Sequence, residues 1–238
     1  MRAAIAVMTR VPAPGRTKTR LMQKMSTFEC AAFHQACLAD ICRTVSDTGV
    51  TGYIYYTGET HTGTPACSKD VEAGFDPGIL NLAEKLGLKV RRQTGKDLGQ
   101  RLGNAARQIL AGHDRVILLG ADLPYLSTGL LLDAMQKLDS CDVVIGPARD
   151  GGYYLLGIKE VYSCLFVEIP WSSASVLSRT IEATGLNNLS LTLLELKADI
   201  DTWDDLVYFY RKAADTETGA RKLAAYRFAE KMIMKYVP

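Results

Sequence analysis

Val116-Ile-Leu-Leu-Gly-Ala-Asp-Leu-Pro124 is the stretch that decides the predicted fold. Val116 to Leu119 is a short apolar run with β-branched residues, which is typical of a strand buried on both faces of a sheet. Gly120 interrupts the run, and Pro124 prevents regular structure from continuing. Asp122 is therefore expected just beyond the carboxyl end of a central strand, at the edge where open α/β sheets bind ligands.

A carboxylate at that edge has two interpretations, and the stretch alone leaves both open. Asp122 can hold a hard divalent cation, Mg²⁺ or Mn²⁺, which commonly helps to bind phosphates. The alternative is a turn residue that caps the following helix, which is an ordinary role for Asp.

The composition is that of a globular protein rather than of a nucleic-acid or membrane protein. The chain has 238 residues, of which 47% are hydrophobic and 23% charged, enough to build one large α/β domain. A net charge of +2 argues against nucleic acid as a partner. The six cysteines form no C-x-x-C pair. The apolar run after Met1 is too short for a signal sequence or a membrane span, so we expect a cytoplasmic protein with reduced thiols.

A basic loop follows the first predicted strand, Ala3 to Thr9. The loop contains Pro14 and Gly15, and a helix is expected to open near Arg16. Its cations, together with backbone N–H groups at a helix start, would form an anion site. The cations are Arg10, Arg16, Lys18 and Arg20. A Walker-type P-loop is excluded because Thr17, not Gly, precedes Lys18. A merely solvated basic loop remains the alternative.

Polar residues also follow the predicted strand Lys89 to Gln93. Gln93 and Arg101 flank a segment in which Gly95 allows a ligand to approach the backbone closely. Asp97 is predicted to cap the helix that follows. Caps are also predicted for three other helices, at Ser26 with Glu29, at Ser127 or Thr128, and at Ser172-Ser173. Caps and glycines are common, so this segment is only an auxiliary part of the predicted phosphate site.

Asp150 lies in the second informative stretch, Gly146-Pro-Ala-Arg-Asp-Gly-Gly-Tyr-Tyr-Leu-Leu-Gly157. Two glycines, Gly151 and Gly152, let the backbone turn sharply and lie against a ligand. An ordinary Asp-Gly hairpin turn is the alternative. Further along the chain, Asp199 and Asp201 follow a predicted strand, and Asp201 with Thr202 can cap the next helix.

The order of the elements predicts an α/β protein with a mainly parallel central sheet between helical layers. No linker divides the chain, so we expect a single domain over residues 1–214. Residues 59–77, rich in Gly, Thr and Pro, are predicted to be loop. Residues 215–238 are predicted to form a helical extension that packs on the body or on a second subunit, and a homodimer is therefore one expected partner.

Five stretches together resemble one bacterial family of proposed glycosyltransferases, some of whose members are linked to arsenosugar biosynthesis. They are Arg10-Val-Pro-Ala-Pro-Gly-Arg-Thr-Lys-Thr-Arg-Leu21, Gly120-Ala-Asp-Leu-Pro124, Gly146 to Gly157 as quoted above, Trp171-Ser172-Ser173 and Asp199-Ile-Asp-Thr202. The resemblance covers Ala3 to about Asp205. The chain also resembles, more distantly, the guanylyltransferases that activate phospholactate or the molybdenum cofactor.

The resemblance implies the GT-A, or nucleotide-diphospho-sugar transferase, fold. It also implies that the basic loop binds a nucleotide diphosphate, that Asp122 is the metal-binding aspartate, and that Asp150 lies beside the sugar or acceptor. We nominate Asp150 as the catalytic base and Asp201 as a second metal ligand. The residues predicted to contact substrate or acceptor are Gly151, Gly152, Tyr153 and Trp171.

Three functions remain open at this point. The first is transfer of a sugar from a nucleotide-sugar donor to a small-molecule acceptor, with Mg²⁺ or Mn²⁺ stabilising the leaving diphosphate. The second is nucleotidyl transfer from a nucleoside triphosphate with release of pyrophosphate. The third is nucleotide binding without turnover. The sequence does not specify the base, the sugar, the acceptor or the stereochemical outcome.

Overall fold

The structure, a computed structural model, describes residues 2–58, 78–215 and 219–237. Within these residues the strands are β1 (Ala3–Arg10), β2 (Thr51–Thr57), β3 (Lys89–Arg92), β4 (Arg115–Leu119), β5 (Val143–Pro147), β6 (Tyr153–Ile158) and β7 (Leu191–Leu193). The α-helices are α1 (Thr27–Asp47), α2 (Gly78–Lys85), α3 (Leu98–Leu110), α4 (Thr128–Lys137), α5 (Val176–Leu186), α6 (Trp203–Asp215) and α7 (Ala224–Tyr236). The predicted loop over 59–77 lies outside the described residues.

The strands form one sheet in the order β3-β2-β1-β4-β6-β5-β7. β1 pairs in parallel with β2 and β4, and β2 pairs in parallel with β3. β6 runs antiparallel to both β4 and β5, which leaves β5 and β7 parallel to the first four strands. The mainly parallel sheet is therefore confirmed, and the carboxyl ends of β1, β4, β5 and β7 share one edge.

Side chains of β1 alternate between two cores, as the period of a strand requires. Ile5 and Val7 pack into a cluster built with α1, α2 and α4. Ala4, Ala6 and Met8 pack into a second cluster on the opposite face, built with α3 and the segment around Phe166. The sheet thus lies between two helical layers, as predicted.

Helix starts follow the predicted caps in four cases and differ in one. Thr202 Oγ1 accepts a hydrogen bond from the Asp205 N–H, at 3.2 Å, at the start of α6. Ser26 forms a complete capping box with Glu29, and Asp97 and Ser127 accept hydrogen bonds at the starts of α3 and α4. The cap predicted at Ser172-Ser173 is wrong, because α5 begins at Val176 with Ser175 as its N-cap residue.

The C-terminal helix α7 packs on α1 and α6 of the same chain. Ala225, Tyr226, Ala229 and Met232 are buried in a third cluster with residues of α1 and α6. Asp40 of α1 accepts hydrogen bonds from the backbone N–H groups of Ala224 and Ala225, at 2.9 and 2.8 Å, which anchors the start of α7. The domain boundary at residue 214 stays a prediction. No helix in the described residues is long and apolar enough to cross a membrane.

Glu29 joins the start of α1 to the end of α7, and this contact predicts a pH-dependent stability. Its carboxylate accepts hydrogen bonds from the Ser26 backbone, Lys235 and Tyr236, each at 2.8 Å. Burial acts to raise the pKa of Glu29, but the hydrogen bonds from these three residues lower it to about 2. The carboxylate therefore stabilises the fold above its ordinary pKa, and that stabilisation is lost as the pH falls towards 2.

Glu29→Gln is expected to lower the free energy of unfolding at neutral pH by about 1–2 kcal/mol, a value reduced for the partial exposure of the partners. The difference from wild type should shrink as the solution is acidified, since the wild type loses its carboxylate contacts there. Urea unfolding at neutral and acidic pH measures the loss of stability and its dependence on pH. Glu182→Gln is the control, because Glu182 forms an exposed pair with Arg179 and should change stability little. Equal effects of the two substitutions would contradict the assignment.

Candidate active site

Four aspartates meet at the shared carboxyl edge of the sheet, and we call them the acidic cluster. Asp122 follows β4, Asp150 follows β5, and Asp199 and Asp201 lie in the segment after β7. That segment is held in place by backbone contacts: Ile200 N–H donates to the Asp122 carbonyl at 3.4 Å. The four carboxylates therefore lie together at the edge of the sheet that was predicted from the strand ends.

Lys18 of the basic loop is inserted into the acidic cluster. Its Nζ lies 2.5 Å from Asp122 Oδ1 and 3.1 Å from Asp201 Oδ1, and it donates to the Ile200 carbonyl at 2.7 Å. The Lys18 side chain is only 2% exposed, whereas that of Asp122 is 48% exposed. Lys18 of the loop after β1 and Asp122 after β4 thus lie in the same small region of the site.

The local backbone explains how Lys18 reaches that position, and it corrects the predicted helix start. No α-helix opens at Arg16; the chain makes a turn and then a short 3-10 helix over Thr19–Gln23. Lys18 itself has φ 50° and ψ 42°, the left-handed region that a non-glycine residue adopts at some energetic cost. The expected anion site at a helix N-terminus is therefore replaced by a turn that directs one ammonium inwards.

The charges of Lys18 and Asp122 stabilise each other. Burial acts to lower the pKa of Lys18, but the carboxylates of Asp122 and Asp201 hold it above its ordinary value. Burial likewise acts to raise the pKa of Asp122, and the ammonium of Lys18 outweighs it, so the pKa is lowered. Both groups are charged at neutral pH.

Asp199 is a member of the cluster that the sequence reasoning did not nominate for the site. Burial, followed by the charges of Asp122, Asp150 and Asp201, raises its pKa to about 7. The sequence carries one signal, an apolar residue between two aspartates in Asp199-Ile-Asp201, and the structure buries Ile200 at 1% exposed. The dense negative charge that raises this pKa is also what attracts a cation.

Asp150 is presented by a rigid turn. Its Oδ1 accepts a hydrogen bond from the Gly152 N–H at 2.9 Å, and Gly151 has φ 89°. A Cβ at Gly151 would collide with the carbonyl oxygen of Ala174, so only glycine fits there. Asp150 is exposed at the edge of the sheet, where a ligand can reach it.

The predicted acceptor residues Tyr153 and Trp171 lie against each other, edge to face, with ring centroids 6.2 Å apart. The Trp171 indole packs on Gly99 at the start of α3 so closely that a Cβ there would collide with it. These two aromatic side chains, which we call the wall of Tyr153 and Trp171, therefore connect the Asp150 turn to the segment after β3.

The remaining predicted phosphate-binding residues fall into two groups. In the first group, Arg10 and Arg16 are exposed, and Pro14 and Gly15 belong to the turn that leads into Arg16. Arg20 contacts Asp201 Oδ2 at 3.3 Å.

The second group lies after β3. Gln93 donates to the carbonyls of Thr9 and Tyr55 at 2.9 and 2.8 Å, which ties the ends of β1 and β2 together. Gly95 has φ 135°, and its carbonyl accepts from Arg101 Nε at 3.1 Å. Gln93 and Arg101 are thus committed to the backbone around the site, where they shape it.

His34 is a second residue near the site that the sequence reasoning did not nominate. It is buried beneath the basic loop, where its Nε2 lies 3.2 Å from both the Arg10 carbonyl and Thr9 Oγ1. Burial lowers the pKa of His34 to about 4, and the charge of Lys18 acts in the same direction. The ring is neutral at physiological pH, and it supports the end of β1. A lone histidine on a helix gives no sequence signal for that role.

The acidic cluster suits a hard divalent cation in its chemistry, although it does not form a ready-made cage. Among the described residues no group of three or more His, Cys, Asp or Glu side chains is arranged to hold a metal ion. Mg²⁺ commonly uses one or two carboxylates together with substrate phosphates and water. Asp122, Asp199 and Asp201 offer such oxygen donors. Lys18 contacts both Asp122 and Asp201, and Arg20 also contacts Asp201.

The fold is shared with a solved protein of related sequence. The structure is similar to that of a proposed nucleotide-diphospho-sugar transferase from Desulfovibrio desulfuricans G20, with a TM-score of 0.84 and 27% identity over 99% of both chains. The predicted fold class is therefore confirmed.

Two guanylyltransferases are similar to the chain at the level of sequence. The chain is 28% identical to a phosphoenolpyruvate guanylyltransferase from a Roseiflexus species, over 88% of this chain and 85% of the relative. It is 26% identical to the 2-phospho-L-lactate guanylyltransferase of Methanocaldococcus vulcanius, over 63% of this chain and 69% of the relative. The predicted transferase class is confirmed by these proteins, whereas the group transferred is not.

One family model matches residues 46–173, more than half of the chain. The matched part includes β4 with Asp122, the Asp150 turn and Trp171. The chain belongs to this family, which is described as DUF2064, uncharacterised proteins conserved in bacteria.

Proposed function

We propose that this protein transfers a sugar from a nucleotide-diphospho-sugar to a hydroxyl group of a small-molecule acceptor, with a divalent cation at the acidic cluster. The contact between Lys18 and Asp122 is the observation that carries the proposal. It means that a cationic loop and a rim carboxylate converge on one volume, as the binding of a metal-bridged diphosphate requires.

In the proposed donor site, the negative charge of the diphosphate would be neutralised partly by the metal ion and partly by side chains of the basic loop. Asp122 and Asp199 would hold Mg²⁺ or Mn²⁺, which when bound supplies Lewis-acid stabilisation of the leaving diphosphate. Arg10, Arg16 and Lys18 would neutralise the phosphate oxygens from the loop side. Asp201 orients Lys18 and Arg20 in the described state, and its role as a metal ligand stays a prediction.

Asp150 is the proposed base for the acceptor hydroxyl. Its fixed turn keeps the carboxylate at the rim of the sheet, which is the geometry a general base needs before its acidity matters. The wall of Tyr153 and Trp171, with Gly151 and Gly152, would form the acceptor side of the site. A neutral hydroxyl acceptor suits the surrounding carboxylates better than a phosphate does, because like charges repel.

Nucleotidyl transfer is the second candidate, and the specific observation that favours it is the similarity to two guanylyltransferases. In that reaction an acceptor phosphate would attack the α-phosphate of a nucleoside triphosphate, and pyrophosphate would leave. The same basic loop and cation would serve both reactions.

Two product assays distinguish these reactions. The protein is incubated with Mn²⁺ and each nucleoside triphosphate, or with each nucleotide sugar, and a panel of hydroxyl and phosphate acceptors. The proposal predicts acceptor-dependent release of nucleoside diphosphate from a nucleotide sugar. Release of pyrophosphate from a triphosphate would overturn it in favour of nucleotidyl transfer. Tight nucleotide binding with neither product would instead support a binding protein.

A further inference from the structure

The Lys18 ammonium occupies the space between two carboxylates of the acidic cluster. Its three N–H groups face three acceptors: Asp122 Oδ1, Asp201 Oδ1 and the Ile200 carbonyl. The side chain is 2% exposed, so solvent does not replace any of these partners. A divalent cation bound to Asp122 would therefore lie beside an ammonium that already uses the same carboxylate.

We propose that Lys18 is a built-in counter-cation, a positioning residue that excludes free divalent cations from Asp122 until a nucleotide diphosphate arrives. This inference rests on the proposed nucleotide site. It predicts that the cation enters together with the nucleotide rather than before it.

The exchange has a simple physical basis. An ammonium and a divalent cation repel each other when both lie next to one carboxylate. The flexible stem of lysine lets the ammonium move, but moving it without a new acceptor would leave a buried charge unpaired. Diphosphate oxygens supply that acceptor and release Asp122 for the metal. Cation and nucleotide then bind with positive coupling, which must be equal in both directions.

The test measures Mn²⁺ binding without nucleotide, by electron paramagnetic resonance of free Mn²⁺. Lys18→Met keeps the length of the side chain and removes its charge, so the variant should bind Mn²⁺ at least about tenfold more tightly than wild type. Arg20→Met is the matched control. Arg20 is 68% exposed and contacts Asp201 rather than Asp122, so its removal should change the affinity much less.

A second arm measures the coupling itself. GDP and UDP are titrated by calorimetry with and without Mn²⁺, and the gain in affinity that Mn²⁺ gives the wild type should be smaller in Lys18→Met. Should thermal unfolding show that this variant is poorly folded, Lys18→Gln replaces it, since its amide can still donate to the Ile200 carbonyl. Unchanged or weaker Mn²⁺ binding in the variants, or no binding to any form, would overturn the inference. Coupled binding without sugar transfer would overturn only the proposed function.

Discussion

Asp122→Asn is expected to abolish cation-dependent nucleotide binding and to lower transferase activity by more than about 100-fold. Loss of an outer-shell partner of a metal ligand already costs about 10- to 100-fold, and Asp122 is proposed as a ligand itself. Asparagine has the same shape as aspartate but lacks the charge that holds Lys18 and attracts the cation. Nucleotide titrations with and without Mn²⁺, alongside the product assay, measure both losses.

The control for this variant is Asp133→Asn. Asp133 lies on α4, outside the acidic cluster, in an exposed pair with Lys137, so binding and activity should be retained. In Asp122→Asn, Lys18 loses the charge of one of its partners, which could destabilise the fold. Thermal unfolding without ligand therefore checks that this variant is folded. A folded variant that keeps Mn²⁺-dependent nucleotide binding would contradict the assignment of Asp122.

Asp150→Asn is expected to lower kcat by about 10²- to 10⁴-fold, the usual contribution of a general base. The substitution should preserve the turn, because the side-chain oxygen of asparagine can still accept the hydrogen bond that Gly152 donates to Asp150. Nucleotide affinity in the presence of Mn²⁺ should therefore remain close to that of wild type. Calorimetry and initial rates at saturating donor separate these two quantities.

A loss of nucleotide affinity in Asp150→Asn, with kcat unchanged, would contradict its role as a base and assign it to the donor side. Asp133→Asn again provides the control. Because both variants are exposed Asp-to-Asn changes, a difference between them reports position rather than the loss of a surface charge.

The sequence predicted the edge of the sheet better than it predicted the contacts made there. Strands such as Val116 to Leu119 are buried on both faces, and their apolar runs and terminating glycines can be recognised without a structure. The caps Ser26, Asp97 and Ser127 depend on residues three positions apart and were equally accessible.

The inward position of Lys18 could not be predicted in this way. Its partner Asp201 is 183 residues distant, and the approach depends on how the segment after β7 returns along the sheet edge. The left-handed backbone of Lys18 carries no sequence signal, because glycine or asparagine would be expected there. The raised pKa of Asp199 could not be predicted for a related reason: it arises from burial and from Asp122 and Asp150, which follow other strands, as well as from the nearby Asp201.

The central claim is that the basic loop and the acidic cluster enclose one metal-bridged diphosphate, and a crystal structure with Mn²⁺ and a nucleoside diphosphate tests it most directly. We expect an anomalous manganese peak within coordination distance of the Asp122 carboxylate, with Lys18 turned towards a phosphate oxygen. A manganese peak and diphosphate located elsewhere, with the Lys18 ammonium still between Asp122 and Asp201, would contradict the account.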